Sequence, residues 1–112
     1  MSTSLIVSFE VDGIHFWPNA PDKYKEFGQP HRHLFKFICL LPTSDSIDPA
    51  RRDVELWELR QDVITSLRSD FGREPIDFSA RSCEGIADYV KMHWGFSKVF
   101  VGEEWFLGAL VS

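Results

Sequence analysis

Gln29-Pro30-His31-Arg32-His33-Leu34-Phe35-Lys36-Phe37-Ile38-Cys39-Leu40-Leu41 is the stretch on which the fold turns. Aromatic and aliphatic residues dominate it, and Pro30 and Pro42 bracket it, which marks a β-strand from about His31 to Leu41. Side chains alternate faces along a strand, so His31 and His33 point the same way, about 7 Å apart. Phe35, Phe37, Cys39 and Leu41 share their face, while Arg32, Leu34, Lys36, Ile38 and Leu40 form the other. Both faces are largely apolar, so cover on both is expected. Two imidazoles one pleat apart can share one metal ion. A third, His15, stands upstream of a turn-rich segment that can fold it back toward the pair. Three neutral imidazoles around zinc leave one position open for substrate, which is the catalytic rather than the structural pattern. A His-x-His pair alone is also an ordinary surface feature of strands, so the rest of the chain decides.

Upstream, Ser4-Leu5-Ile6-Val7-Ser8-Phe9-Glu10-Val11 is rich in β-formers, with Leu5, Val7, Phe9 and Val11 on one face. Asp12-Gly13 is expected to break this strand. Ile14-His15-Phe16-Trp17 follows as a short apolar piece. Pro18 to Pro30 reads as a loop of thirteen residues, long for a small domain and therefore a candidate for function.

Downstream, Thr43 to Pro49 carries turn chemistry, with Asp48 a candidate N-cap and Pro49 the first helical residue. A helix is expected over about Pro49–Ser69, with Leu56, Trp57, Val63, Ile64 and Leu67 as its apolar stripe. Gly72 and Pro75 end it. A second helix starts after Ser82 as N-cap, with Cys83, Ile86, Ala87, Val90 and Trp94 at helical spacing and Gly95 as its stop. His93 lies at its C-terminus, where the last carbonyls or water satisfy it. Lys98–Val101 and Trp105–Val111 then read as an antiparallel hairpin with Gly102-Glu103-Glu104 at its turn.

The chain of 112 residues fits one domain, residues 1–112, with no linker or repeat. At 14% aromatic residues it carries more ring surface than a small monomer easily buries, which points to a subunit interface or a pocket for a flat ligand. The net charge of −5, without a Lys/Arg stripe, argues against a nucleic-acid partner. Cys39 and Cys83 sit in apolar patterns, as free thiols of a reducing compartment do. No signal peptide, lipidation motif or membrane-spanning apolar run is visible, so a cytoplasmic protein without a membrane partner is expected.

The order strand, His, long loop, His-x-His strand, two helices and a strand ending in Glu resembles the tunnelling fold. Within it, the chain is similar to the 6-pyruvoyl- and 6-carboxy-tetrahydropterin synthases. Val11-Asp12-Gly13-Ile14-His15 takes the place of that family's Phe-Ser-Ala-Ala-His type segment, and His31-Arg32-His33 that of its His-Gly-His motif. Ser82-Cys83-Glu84-Gly85-Ile86-Ala87 looks like its Thr-Ser-Glu-Asn-Leu-Ala type helix start, and Val99-Phe100-Val101-Gly102-Glu103 like the strand whose Glu grips the pterin ring. The resemblance implies an α+β chain of order β-β-α-α-β-β: a four-stranded antiparallel sheet with two helices on one face, the sheets of several subunits joining into a barrel. It implies Zn2+ on His15, His31 and His33, a pterin or purine-like ligand on Glu103, and a homo-oligomer with its sites between subunits.

The departures from that family bear on chemistry. Its Cys nucleophile precedes the His-x-His motif, and here Phe27 falls at that place, beside Glu26. Its Asp and His between the helices have no full counterpart, because the connector from Asp70 to Arg81 holds Asp70 and Asp77 but no His. Arg32 replaces the middle Gly. Glu26 is the candidate general base in place of the missing Cys. Lys23, Lys25 and Arg32 are candidates for a triphosphate tail, although scattered basic residues ordinarily face water. Two functions are expected from this balance. One is a zinc-dependent lyase of the synthase type acting on a dihydroneopterin-triphosphate-like pterin. The other is a non-catalytic protein that binds pterins or purine nucleotides.

Overall fold

The computed structural model describes residues 4–42, 49–104 and 107–112. Asp48, read as an N-cap, and Trp105 and Phe106 of the last strand lie outside them. The elements are β1 (Ser4–His15), a 3-10 segment (Asp22–Gly28), β2 (His31–Pro42), α1 (Pro49–Phe71), β3 (Ile76–Ser79), α2 (Cys83–Trp94), β4 (Lys98–Glu103) and β5 (Leu107–Val111). The architecture is mixed α+β, as expected, but the sheet has five strands rather than four, in the order β3-β1-β2-β4-β5. It is open, so a barrel is not formed within the chain.

The fifth strand is β3, which arises in the connector between the helices and pairs parallel to the end of β1. It is only four residues long, too short for a period to show. Its pairing with Gly13, Ile14 and His15 holds it in the sheet. The remaining neighbours pair antiparallel.

β1 does not break at Asp12-Gly13. It pairs with β2 over its whole length, from Ser4 opposite Pro42 to His15 opposite His31. Gly13 serves close approach rather than a turn. A Cβ there would stand 2.8 Å from ring carbons of both Phe35 and Phe78. The loop after His15 is also more ordered than its prolines and glycine suggest, because most of it winds into the 3-10 segment.

One face of the sheet carries the core. Val7, Phe9 and Val11 of β1, Phe35, Phe37 and Cys39 of β2, and Val99 and Val101 of β4 are buried there. Val63 and Leu67 of α1 and Ile86, Ala87 and Val90 of α2 pack onto them. Phe9 and Phe37 stack at 4.6 Å between ring centroids. Trp57 departs from the expected stripe and is 57% exposed, because the buried line on α1 runs through Leu56, Leu59, Val63 and Leu67 and leaves it to one side. The caps of α2 form as read. Ser82 Oγ accepts from Gly85 N–H at 3.2 Å, and Gly95 takes the left-handed conformation at φ 71°.

Gly102 and Glu103 belong to β4 rather than to a turn, with Glu103 opposite Leu107 of β5. That extension carries Glu103 to the end of the sheet where the histidines stand. No helix among the described residues is long and apolar enough to cross a membrane.

Candidate metal centre

The full-length register of β1 against β2 sets His15 directly opposite His31, with His33 one pleat further along β2 on the same face. One ring nitrogen from each of the three lies within 4.8 Å of the others. The imidazoles meet edge to face, with centroids 4.6 Å apart for His15 and His31, 5.2 Å for His15 and His33 and 5.0 Å for His31 and His33. The ring of Phe35 lies beneath them, 5.1 Å from His15 and 5.7 Å from His33. The apolar core therefore ends where the cluster begins.

Each imidazole is oriented by a bond at its far nitrogen. His15 Nδ1 donates to the Arg81 carbonyl at 3.0 Å and His31 Nδ1 to the Gln29 carbonyl at 2.9 Å. His33 Nδ1 donates to Glu104 Oε2 at 2.8 Å. Carbonyls and carboxylates only accept, so each histidine is the donor and its tautomer follows. With all three Nδ1 atoms committed, the nitrogens left for a cation are the Nε2 atoms. A far-side hydrogen bond to a carbonyl or carboxylate is the usual support of a metal-ligating histidine. His15 Nε2 is buried and has no hydrogen-bond partner among the described residues. Burial is the largest influence holding the His15 pKa below its ordinary value, and His31 and His33 add to it. The Arg81 hydrogen bond and the Glu103 charge oppose them. A neutral His15 is the form a metal needs.

The local turns explain these partners. Asp77 Oδ1 accepts from Ser79 N–H at 2.8 Å and from its hydroxyl at 3.3 Å, which steadies Ser79 at a φ of 56°. The turn that follows brings the Arg81 carbonyl to His15. At the other side, Glu104 Oε1 accepts from Leu34 N–H at 2.6 Å, just beyond the last backbone pair between β2 and β4. Burial raises the Glu104 carboxyl, but the hydrogen bonds from Leu34 N–H and from His33 outweigh it and hold the carboxyl below its usual value.

Glu103 Oε1 reaches the cluster of its own chain, 3.2 Å from His15 Nε2 and 3.5 Å from His33 Nε2. A cavity of about 340 Å³ opens beside it, walled by Phe16, Trp17 and Phe27 and edged by the three histidines, Glu103 and Ser82. An aromatic series leads into it: Trp17 stacks on Tyr24 at 5.9 Å, Tyr24 on Phe27 at 6.3 Å, and Phe27 meets His31 edge to face at 5.7 Å.

His15, His31, His33 and Glu103 are thus brought together. Glu26 is not: it is exposed and does not line the cavity, whereas its neighbour Phe27 does. Arg32 faces away, donating from Nε to Asp12 Oδ1 at 2.9 Å on the opposite side of the sheet. Lys23 lies over the Tyr24 ring at 5.4 Å. Asp70 accepts from the Tyr89 hydroxyl, and neither Asp70 nor Asp77 lines the cavity. Cys39 is a buried thiol pushed up to about 12 by burial. Cys83 is pushed up to about 11, first by burial and then by the Glu103 charge, and no thiol lines the cavity. Glu104 is the residue that sequence reasoning left as a turn acid.

The sequence matches no family model, and no curated protein matches it.

Proposed function

We propose that this is a zinc-binding protein of the 6-pyruvoyl/6-carboxy-tetrahydropterin synthase type, taking a pterin-like ring into the cavity beside His15, His31 and His33. The observation that carries this reading is the convergence of three imidazoles, each with its Nδ1 committed, at the mouth of an aromatic-walled cavity. Zinc suits three neutral imidazoles, and when bound it polarises a hydroxyl or carbonyl or lowers the pKa of a water to about 7. The chain's own residues do the rest. Trp17 and Phe27 offer faces to a flat ring. The Glu103 carboxylate offers two oxygens to the paired N–H groups of a pterin or guanine-like edge.

A second reading is a protein that holds a pterin or purine nucleotide without converting it. Phe27 favours it. This residue stands where the resembled family has its Cys nucleophile, and it lines the cavity with a phenyl ring that no proton transfer can use. Dihydroneopterin triphosphate offered to the zinc-loaded protein separates the readings: turnover supports the lyase, and saturable binding without turnover supports the binder. Neither binding nor turnover, with no heterocycle found by mass spectrometry in the purified protein, would sink both.

A further inference from the structure

Glu103 and His15 meet in a way that an ionised carboxylate and a neutral imidazole alone do not explain. The His15 proton sits on Nδ1, facing the Arg81 carbonyl, so Nε2 presents a lone pair. That buried Nε2 has no hydrogen-bond partner among the described residues, yet it lies 3.2 Å from Glu103 Oε1. An ionised carboxylate is acceptor-only. Two acceptors at this separation repel unless a positive charge stands between them. The same Oε1 lies 3.5 Å from His33 Nε2, whose proton is likewise committed at Nδ1, to Glu104. One carboxylate oxygen therefore faces two nitrogen lone pairs.

A proton on one imidazole, or on the carboxyl itself, would relieve one of these contacts and leave the other. A metal ion shared by all the atoms relieves both. Around a tetrahedral zinc with bonds of about 2.0–2.1 Å, neighbouring ligand atoms lie about 3.3–3.4 Å apart. The separations of 3.2 and 3.5 Å bracket that edge.

We infer that Glu103 is the fourth protein ligand of the centre, closing it as a three-histidine, one-carboxylate site until a ligand enters. This rests on the metal reading above and deepens it. With a metal held there, an entering heterocycle or anion would have to take the place of the carboxylate. Once displaced, the same carboxylate is at the cavity edge and accepts the N–H groups of the ring. Metal geometry and ligand binding are then linked through one side chain.

Cobalt(II) is the probe, since its visible absorption reports coordination, with thiocyanate as a small anion that takes any open position. The wild-type protein is expected to give a four-coordinate spectrum that resists thiocyanate. Glu103→Ala is expected to bind cobalt more than about 100-fold more weakly, beyond the 10–100-fold loss common for an outer-shell partner, and its spectrum to respond to thiocyanate. Wild-type cobalt affinity and an unchanged spectrum in both Glu103→Ala and Glu103→Gln would overturn ligation by Glu103 while leaving the metal reading intact. Thiocyanate binding to the wild type as readily as to an open three-histidine centre would overturn the closure without any variant. A wild-type protein that takes up neither cobalt nor zinc would overturn both readings.

Discussion

Glu104 accepts a hydrogen bond from His33, with 2.8 Å between Oε2 and Nδ1. Its other oxygen takes the N–H of Leu34, the next residue on the same strand, at 2.6 Å. The carboxylate is thereby fixed at both ends, and it fixes His33 in turn. Removing such an outer-shell partner costs about 10–100-fold in metal affinity. Glu104→Ala is expected to lose zinc affinity in that range, measured by competition with a chromogenic chelator, while its far-UV circular dichroism stays that of the wild type. Glu104→Gln keeps one acceptor oxygen and should fall between the two. Equal affinities for all three proteins would remove Glu104 from the centre.

His31 and His33 were legible because strand alternation is a rigid rule: two residues apart on one strand must share a face. Glu104 was not legible, for the same reason. Alternation sends it to the face opposite Glu103, and it returns to His33 only because the chain leaves the strand there. His15 joined His31 and His33 only through the family resemblance, because the register that sets it opposite His31 runs through the expected break at Asp12-Gly13. Asp12-Gly13 looked like a break because glycine ordinarily weakens strands. Only the packed fold shows two phenyl rings, from β2 and β3, occupying the place of its missing side chain. β3 itself was hidden, since four residues hold too few alternations to be read and its partner is far away in sequence. The choice between Glu26 and Phe27 was equally beyond reach, because one residue's rotation in a 3-10 segment decides which of them faces the cavity.

Gly13→Ala tests that close approach. The added methyl would stand 2.8 Å from Phe35 and from Phe78, both fully buried, so neither ring can swing into solvent. Overpacking of this kind costs about 1–3 kcal/mol. Urea unfolding should show a lower midpoint with an unchanged slope. A midpoint within error of the wild type would mean that the rings part freely.

Acid should weaken the metal-free fold through His15. Its folded pKa is lowered, by burial before all else, so on acidification the unfolded chain takes up a proton before the folded one does. Stability from this source is complete above the ordinary imidazole value of 6.5 and is lost as pH falls through and below it. Metal should protect, because zinc on neutral imidazoles excludes the protons until acid displaces it. The check is the urea midpoint at neutral and mildly acidic pH, with and without zinc, in the wild type and in His15→Phe. A metal-free midpoint falling as steeply in His15→Phe as in the wild type would assign the acid sensitivity elsewhere.

Assembly follows from what the sheet leaves open. β3 pairs only with Gly13–His15 of β1, so among the described residues no strand pairs with Ser4–Asp12 on that side. At the opposite end β5 is an edge, with Leu107 70% and Leu110 61% exposed. The face turned away from the helices adds Ile6 at 58% and Leu34 at 40%. Soluble proteins normally blunt or cover long edges of this kind. Pairing β5 of one copy with the free length of β1 on the next would join two different surfaces, and such a head-to-tail contact closes into a ring when the rotation allows. A closed ring of sheets abolishes the edges, as a barrel does. We therefore expect light scattering at micromolar concentration to report a multiple of the 13.0 kDa chain. Leu110→Lys places a charge on that edge and should shift the protein toward monomer while leaving its zinc content per chain unchanged, since all three histidines and Glu103 come from one chain. A wild-type monomer at those concentrations would rule out the ring. A ring that survives Leu110→Lys would move the contact away from β5.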